Sequence, residues 1–140
     1  MNTEAGNSPG PGSPPFSGVG VGTAFGPVSY AVSEAANDRY WRAAGIEHPA
    51  RAAGVLYPPM AANLTILAFQ TIAPDPLLHT DQTLVAHAAA AAPAQLVVTG
   101  AVTGRFAKRG REYIEVTTRV ATDDDRHLWT SIATFVEAGT

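Results

Sequence analysis

The stretch PPMAANLTILAFQTIAPDP, residues 58–76, decides how this chain folds. Pro58 and Pro59 open it and Pro74 ends its apolar part. Proline is tolerated in the first turn of a helix but cannot continue a helix from the inside. The residues between, 60–73, are apolar nearly all round. A helix without a polar face is a buried helix, so the sequence predicts one long central helix that other elements must wrap.

Four strand-like segments follow this helix and supply the wrapping. They are LLHTDQTLVAHAA (77–89), AQLVVTGAVTGRFA (94–107), EYIEVTTRVAT (112–122) and HLWTSIATFVEA (127–138). Period-two alternation joined by short polar turns is typical of an antiparallel sheet with one covered face. In the last segment the pattern groups Leu128, Ile132 and Val136 on one face. The sequence therefore predicts an α+β fold, with a curved antiparallel sheet around the central helix.

The N-terminal part divides into a tail and the start of a single domain. Residues 1–20 contain twelve Gly, Pro or Ser, too little apolar surface to offset the entropy of ordering, so we predict a flexible tail over 1–22 and one domain over 23–140. The segment GPVSYAV (26–32) reads as a strand. Ser33 is the predicted N-cap of a helix that runs to Ala44 and ends at Gly45, where a left-handed cap suits glycine.

Composition excludes several classes of function. The formal net charge of -3, with nine scattered basic residues, gives no footprint for nucleic acid. The absence of cysteine excludes a disulfide framework and thiolate chemistry. No apolar run reaches the length of about 18 residues that a membrane span needs, and the N-terminus lacks the pattern of a secretory signal. A cytoplasmic protein is expected.

The order and length of these elements resemble the hot-dog fold. FGPVSYAVSEAANDRYWRAAG (25–45), followed by a loop and PPMAANL (58–64), is similar to the MaoC-like (R)-specific enoyl-thioester hydratases and dehydratases. It also resembles the dehydratase domains of type I fatty acid synthases. The likeness runs over about 25–138 and is strongest over 28–70. It implies edge-to-edge pairing with another hot-dog chain, either a second copy or a different MaoC-like subunit.

The loop GIEHPAR, residues 45–51, carries the family's site in altered form. Active members have Gly-Asp, any residue, Asn-Pro, any residue, His. Their aspartate and histidine flank the water that adds to the enoyl double bond. Gly45 and Pro49 match the pattern, but Ile46 stands at the aspartate position and Arg51 at the histidine position. Isoleucine exchanges no proton and arginine stays protonated, so the resemblance implies a site without its catalytic pair.

Other residues nearby are candidates for catalysis and substrate binding. Glu47 and His48 form the only carboxylate–imidazole pair in this region, which leaves open a rearranged acid–base pair. In the family, backbone N–H groups at the start of the central helix polarise the thioester carbonyl. The matching residues here are Met60 and Ala61, although Pro58 and Pro59 have no N–H to donate. The predicted substrate-binding residues are Tyr57, Met60, Ala61 and Asn63.

Four cations are candidates for binding the phosphate of coenzyme A or the surface of an acyl carrier protein. They are Arg51, Lys108, Arg109 and Arg111. Arg51 has the alternative of an ion pair with Asp38, and the last three have the alternative of an ordinary solvated hairpin. His79 and His87 have no recognised metal-ligand spacing, so no metal site is predicted. No cofactor is expected other than the coenzyme A or carrier protein that forms part of the substrate.

Three functions stay open at this stage. The first is a subunit without the catalytic pair, in a heteromeric enoyl-thioester hydratase or dehydratase, that shapes the pocket for a bulky fatty acyl or steroid side chain. Its partner is then a MaoC-like chain that carries the aspartate and histidine. The second is a hot-dog thioesterase or a self-sufficient hydratase that uses Glu47 and His48. The third is an acyl-thioester binding module that catalyses nothing.

Overall fold

The computed structural model describes residues 16–74 and 76–137. Five antiparallel strands form one sheet in the order β1-β3-β4-β5-β2, and the predicted α+β fold is confirmed. The elements in chain order are β1 (Ala24–Val32), α1 (Glu34–Ala44), α2 (Pro49–Ala52), α3 (Met60–Phe69), β2 (Leu77–Ala86), β3 (Ala94–Lys108), β4 (Arg111–Thr122) and β5 (His127–Glu137).

Helix α3 is the predicted central helix, and it is shorter and less enclosed than expected. It ends at Phe69, because Thr71 donates both its backbone N–H (3.2 Å) and its hydroxyl (2.6 Å) to the carbonyl of Ala68, which tightens the chain into a turn. Asn63 is exposed, and Leu67, about one turn later on the same side of the helix, is 44% exposed. In this single chain α3 therefore has one uncovered face, contrary to the prediction of burial all round.

The strands alternate as predicted in β4, but the predicted face of β5 is wrong. Trp129, Ser131, Ala133 and Phe135 point into the core, while Ile132 is only half-buried. The register shifts between Val120, which pairs with Trp129, and Ala121, which pairs with His127, so Leu128 is the extra residue and is buried although Ile132 is not. A bulge of this kind breaks the simple period of two.

Helix α1 has the predicted caps. The Ser33 hydroxyl accepts from the backbone N–H of Ala36 at 3.0 Å. Gly45 has φ 70°, the left-handed conformation that glycine adopts without strain.

Residues 16–22, which the prediction places in the tail, pack against the domain. Phe16 and Val19 are 3% and 7% exposed and belong to the core. The Arg105 guanidinium donates to the carbonyl oxygens of both residues, at 3.2 and 2.6 Å. The predicted boundary at residue 22 is therefore corrected to a point before Phe16. Residues 1–15 lie outside the described residues, and the tail there stays a prediction.

The sheet has two ends that matter for the site. At one end, here called the motif end, β3 begins and β2 finishes, and the loop 45–57 bonds to this end. At the other, here called the hairpin end, β3 turns into β4 through residues 108–111. Within the described parts of the chain, no helix is both long enough and apolar enough to cross a membrane.

Candidate functional site

The loop of residues 45–57, here called the motif loop, is fastened at the motif end of the sheet. Its second half bonds to the segment before β3, with Leu56 N–H donating to Ala90 O and Ala92 N–H to Gly54 O, both at 2.9 Å. Side chains of helix α1 also form hydrogen bonds with this second half of the motif loop. The second half of the motif loop is thus held by backbone hydrogen bonds.

Asn37 and Trp41 of α1 make this second attachment. The Asn37 amide donates to Val55 O and accepts from Tyr57 N–H, both at 2.9 Å, and Trp41 Nε1 donates to Val55 O at 2.8 Å. Both side chains are buried. Neither residue is among the site residues predicted from sequence. The signal that could have found them is their spacing of four residues, which puts both on one face of a helix.

The residues in the catalytic positions have no acid–base chemistry available. Ile46 is 47% exposed. Arg51 forms a two-pronged ion pair with Asp38, with Nε to Oδ1 at 2.9 Å and Nη2 to Oδ2 at 3.4 Å. The hydrogen bond and charge of Arg51 lower the pKa of Asp38, and Asp38 in turn raises the pKa of Arg51. Each group is held in its charged form, and neither can exchange a proton near neutral pH.

The alternative pair of Glu47 and His48 is arranged differently. His48 is the N-cap of α2, where its Nδ1 accepts from Ala50 N–H at 3.0 Å. Its ring lies parallel to the Trp41 indole, with the ring centres 6.0 Å apart. No hydrogen bond joins Glu47 to His48 among the described residues. The geometry gives His48 a structural role in this chain, and the use of the pair in catalysis stays a prediction.

A half-open groove of about 380 Å³ lies against Arg51. The Asp38–Arg51 pair and Glu34 supply its charges, and the rest of its lining includes the small residues Ala52, Ala53 and Gly54. Glu47 and His48 do not contribute to the lining. The groove therefore presents an ion pair that is already satisfied, and no free acid–base pair.

The start of α3 lacks free donors for a thioester carbonyl. Met60 N–H donates to Tyr57 O at 3.1 Å and Ala61 N–H to Pro58 O at 3.0 Å. Both residues are buried, at 1% and 0% exposure. The turn opened by the prolines uses both amides in this structure, and their role towards a substrate carbonyl stays a prediction.

The other predicted substrate-binding residues meet around Tyr40, which is not among the site residues predicted from sequence. Tyr57 stacks on Tyr40 with ring centres 6.3 Å apart, and Asn63 Nδ2 donates to the Tyr40 hydroxyl at 2.9 Å. Tyr57 also meets Trp41 edge-on at 4.9 Å. Tyr40, Tyr57 and Asn63 form a partly open polar and aromatic rim beside α3.

The four predicted phosphate-binding cations do not form one site. Arg51 lies at the motif end, whereas Lys108, Arg109 and Arg111 lie at the hairpin end. Strand β3 has 15 residues between the two ends, which corresponds to about 45 Å of strand. Within one chain these two groups therefore cannot bind the same small anion, and phosphate binding by either group stays a prediction.

The histidines are paired in a way that their spacing did not indicate. His87 lies against His127 with ring centres 4.2 Å apart, while His79 contacts the Phe135 ring. Burial, followed by the nearby His87, lowers the pKa of His127. Among the described residues there is no group of three or more His, Asp or Glu side chains placed to hold a metal ion.

Comparison with solved structures gives the fold a name. A chain of the HadBC (3R-hydroxyacyl-ACP dehydratase) complex from Mycobacterium tuberculosis has a TM-score of 0.68 and 17% identity, covering 80% of this chain and 92% of that one. R-hydratase PhaJ1 from Pseudomonas aeruginosa has a TM-score of 0.72 and 17% identity, with 90% and 86% covered. A chain of the ChsH1-ChsH2 complex from Mycobacterium tuberculosis has a TM-score of 0.66 and 14% identity, with 85% and 98% covered.

At the level of sequence, no family model and no curated protein matches this chain. Identities this low carry the fold and leave the activity to be argued from the site. The chain has the hot-dog fold, in the form shared by MaoC-like dehydratases and (R)-hydratases.

Proposed function

We propose that this chain is a MaoC-like subunit without the catalytic pair, in a heteromeric enoyl-thioester hydratase or dehydratase. A partner hot-dog chain carries the aspartate and histidine and performs the addition or removal of water. This chain contributes walls of the acyl pocket. The substrate is an enoyl thioester of coenzyme A or of an acyl carrier protein, with a bulky fatty acyl or steroid side chain.

The observation that carries the proposal is the state of the two catalytic positions. Ile46 has no proton to give, and Arg51 is tied to Asp38 by two hydrogen bonds. Removal of each proton-transfer group from such a reaction lowers the rate by about 10²–10⁴-fold. Yet the motif loop keeps its attachment through buried Asn37. A chain that keeps the motif loop in place but lacks the aspartate and histidine suits a subunit that completes a pocket for another chain's reaction.

The uncovered apolar surface supports a partner. Leu67 on α3 is 44% exposed, and Leu78 and Val85 on the edge strand β2 are 48% and 44% exposed. The outer edge of β2 also has backbone N–H and C=O groups open to pairing, since β2 bonds only to β5. The other edge strand, β1, contains Pro27 and a register shift, and both features discourage edge pairing. Two of the similar solved structures are described as complexes, the HadBC complex and the ChsH1-ChsH2 complex.

Small side chains beside the motif loop support the pocket-shaping role. The segment HAAAAAPA, residues 87–94, runs along this loop and carries mostly alanine. Its backbone is held by the motif loop, while its side chains occupy little space. A wall of this kind leaves room for a bulky acyl group that enters from the partner's side.

The test is hydration of enoyl-coenzyme A, followed by loss of the conjugated thioester absorbance, with one short and one bulky acyl group. The purified chain alone is expected to give no turnover above buffer. Co-expression with a MaoC-like chain of the same organism that has the full motif is expected to change the partner's rate or its range of acyl groups.

Two outcomes contradict this proposal. Turnover by the chain alone, lost in the variant His48→Ala, assigns catalysis to the Glu47–His48 pair. Binding of the thioester with no turnover, and with no effect on any motif-bearing chain, assigns the role of a binding module.

A further inference from the structure

Two histidines meet at the motif end of the sheet, and neither belongs to the motif loop. His87 directly follows β2, and His127 is the first residue of β5. The centres of their rings, here called the histidine pair, are 4.2 Å apart. At this distance the charge of one ring acts on the other, and histidine changes its charge near neutral pH. The pair is therefore a candidate for a pH-sensitive element.

The Thr130 hydroxyl lies between the two rings. It is 2.8 Å from His87 Nε2 and 3.1 Å from His127 Nε2. His127 Nε2 is also 3.1 Å from the carbonyl oxygen of Trp129, and only a nitrogen that carries hydrogen can bond to a carbonyl, so this atom donates. Thr130 can donate its single hydrogen to His87 Nε2 while that ring is neutral. Protonation of both rings instead brings two cationic N–H groups to the same oxygen.

No carboxylate offsets the charge of a fully protonated pair. Among the described residues, none of the ion pairs includes a histidine. Besides His87, the charges that act on His127 come from Arg119 of β4 and from Asp125 of the turn between β4 and β5. These two groups bind each other at 2.8 Å. Arg126, the neighbour of His127 in the chain, is a further exposed cation, so the surroundings do not favour a second positive charge on the pair.

The histidine pair lies at the backbone contact that fixes the segment of residues 87–94 to the sheet. His87 N–H donates to Leu128 O at 2.8 Å, and Ala88 N–H donates to the same oxygen at 3.3 Å. Leu128 directly follows His127 in the chain. A separation of the two rings therefore pulls on this contact.

The segment 87–94 in turn holds the motif loop. Leu56 N–H donates to Ala90 O and Ala92 N–H donates to Gly54 O, both at 2.9 Å, and an isolated β-bridge lies between these two bonds. The motif loop is thus connected to the histidine pair through the backbone of this segment.

From this we infer that the histidine pair is a pH-sensitive switch, in which protonation of both rings releases segment 87–94 from β5 and loosens the second half of the motif loop. The closed pair disfavours the second proton, so the released state, with the rings apart, binds more protons. A fall in pH below the ordinary histidine value of about 6.5 therefore shifts the balance towards release. The inference goes beyond the proposed function and applies to this chain with or without a partner.

The test is backbone hydrogen exchange of the purified chain, followed by NMR at about pH 7.5 and about pH 5.5 and corrected for the intrinsic effect of pH on exchange. The N–H groups of His87, Leu56 and Ala92 report on the switch, and those of β4 report on unfolding of the whole domain. The variant is His87→Gln, whose side-chain amide can still bond to Thr130 but carries no charge. The matched control is His79→Gln, which removes an exposed histidine near the other end of β2.

In the natural chain, the protection of the three reporting N–H groups is expected to fall about tenfold from the higher to the lower pH and to stay below that of β4. Their exchange should change little in dilute urea, because a local opening exposes little surface. The fall is expected to shrink to about threefold or less in His87→Gln and to stay about tenfold in His79→Gln.

Three results overturn the inference. The first is equal protection of the reporting groups at both pH values in the natural chain. The second is a fall that His87→Gln leaves undiminished. The third is a fall that matches β4 in size and in urea dependence, since the pair then acts only through unfolding of the whole domain.

Discussion

Replacement of Asn37 by alanine tests whether the motif loop is held as described. The substitution removes two hydrogen bonds of 2.9 Å, one to Val55 O and one from Tyr57 N–H. Val55 O keeps the Trp41 indole donor at 2.8 Å, but Tyr57 N–H has no other partner among the described residues. Each lost bond contributes about 0.5–1.5 kcal/mol, and a partly buried donor left unpaired adds about 1–2 kcal/mol. We therefore expect Asn37→Ala to lower the free energy of unfolding by about 2–5 kcal/mol.

The measurement is urea denaturation followed by tryptophan fluorescence and circular dichroism, with the slope checked for two-state behaviour. Asn63→Ala is the matched control, since it removes the same side chain from an exposed site where it makes one bond, to Tyr40, at 2.9 Å. That change is expected to lower the free energy by less than about 1 kcal/mol. A loss below about 0.5 kcal/mol for Asn37→Ala, or equal losses for the two variants, refutes the reasoning.

Three further outcomes follow from buried or crowded positions. Thr65 and Thr118 share a buried hydrogen bond of 2.8 Å, so the two single changes to valine should each destabilise the fold, and the double change should cost about 0.5–2 kcal/mol less than their sum in a denaturation cycle. Gly100→Ala places a methyl carbon 2.5 Å from the buried Phe25 ring, and a loss of about 1–3 kcal/mol is expected by the same assay; a loss near zero would mean that the ring can move. The folded-state pKa of His127 is lowered below 6.5, so the unfolded chain binds more protons as pH falls below that value. Stability should therefore decline with decreasing pH in this range, and His127→Asn should decline less when denaturation is measured at about pH 7.5 and about pH 5.5.

The parts of the fold that local chemistry dictates are predictable from sequence. Ser33 and Gly45 bound α1 because capping is a matter of a few adjacent atoms. The order of strands follows from alternation and polar turns. The end of α3 is not predictable, because the Thr71 side chain competes for the Ala68 carbonyl, and nothing in the apolar pattern signals that. The burial of Leu128 in β5 escapes prediction for a similar reason, since the register between β4 and β5 shifts between Val120 and Ala121.

The candidate site is also predictable from sequence only in part. The absence of chemistry at Ile46 and Arg51 is evident directly from the residue types. The sequence leaves two roles open for Arg51, phosphate binding or an ion pair with Asp38. The fold decides for the ion pair, because it places Arg51 Nε 2.9 Å from Asp38 Oδ1. The sequence favours a substrate role for the amides of Met60 and Ala61 because a helix start usually has free donors, but the turn through Pro58 and Pro59 satisfies them internally.

The ion pair between Arg51 and Asp38 also restricts how this sequence can change. The motif that this loop resembles has aspartate at the position of Ile46 and histidine at the position of Arg51. Arg51→His removes the guanidinium that binds Asp38, which would keep only Arg42, at 3.6 Å and largely exposed. Any replacement of Arg51 therefore leaves the Asp38 carboxylate with Arg42 alone, whichever residue stands at position 46.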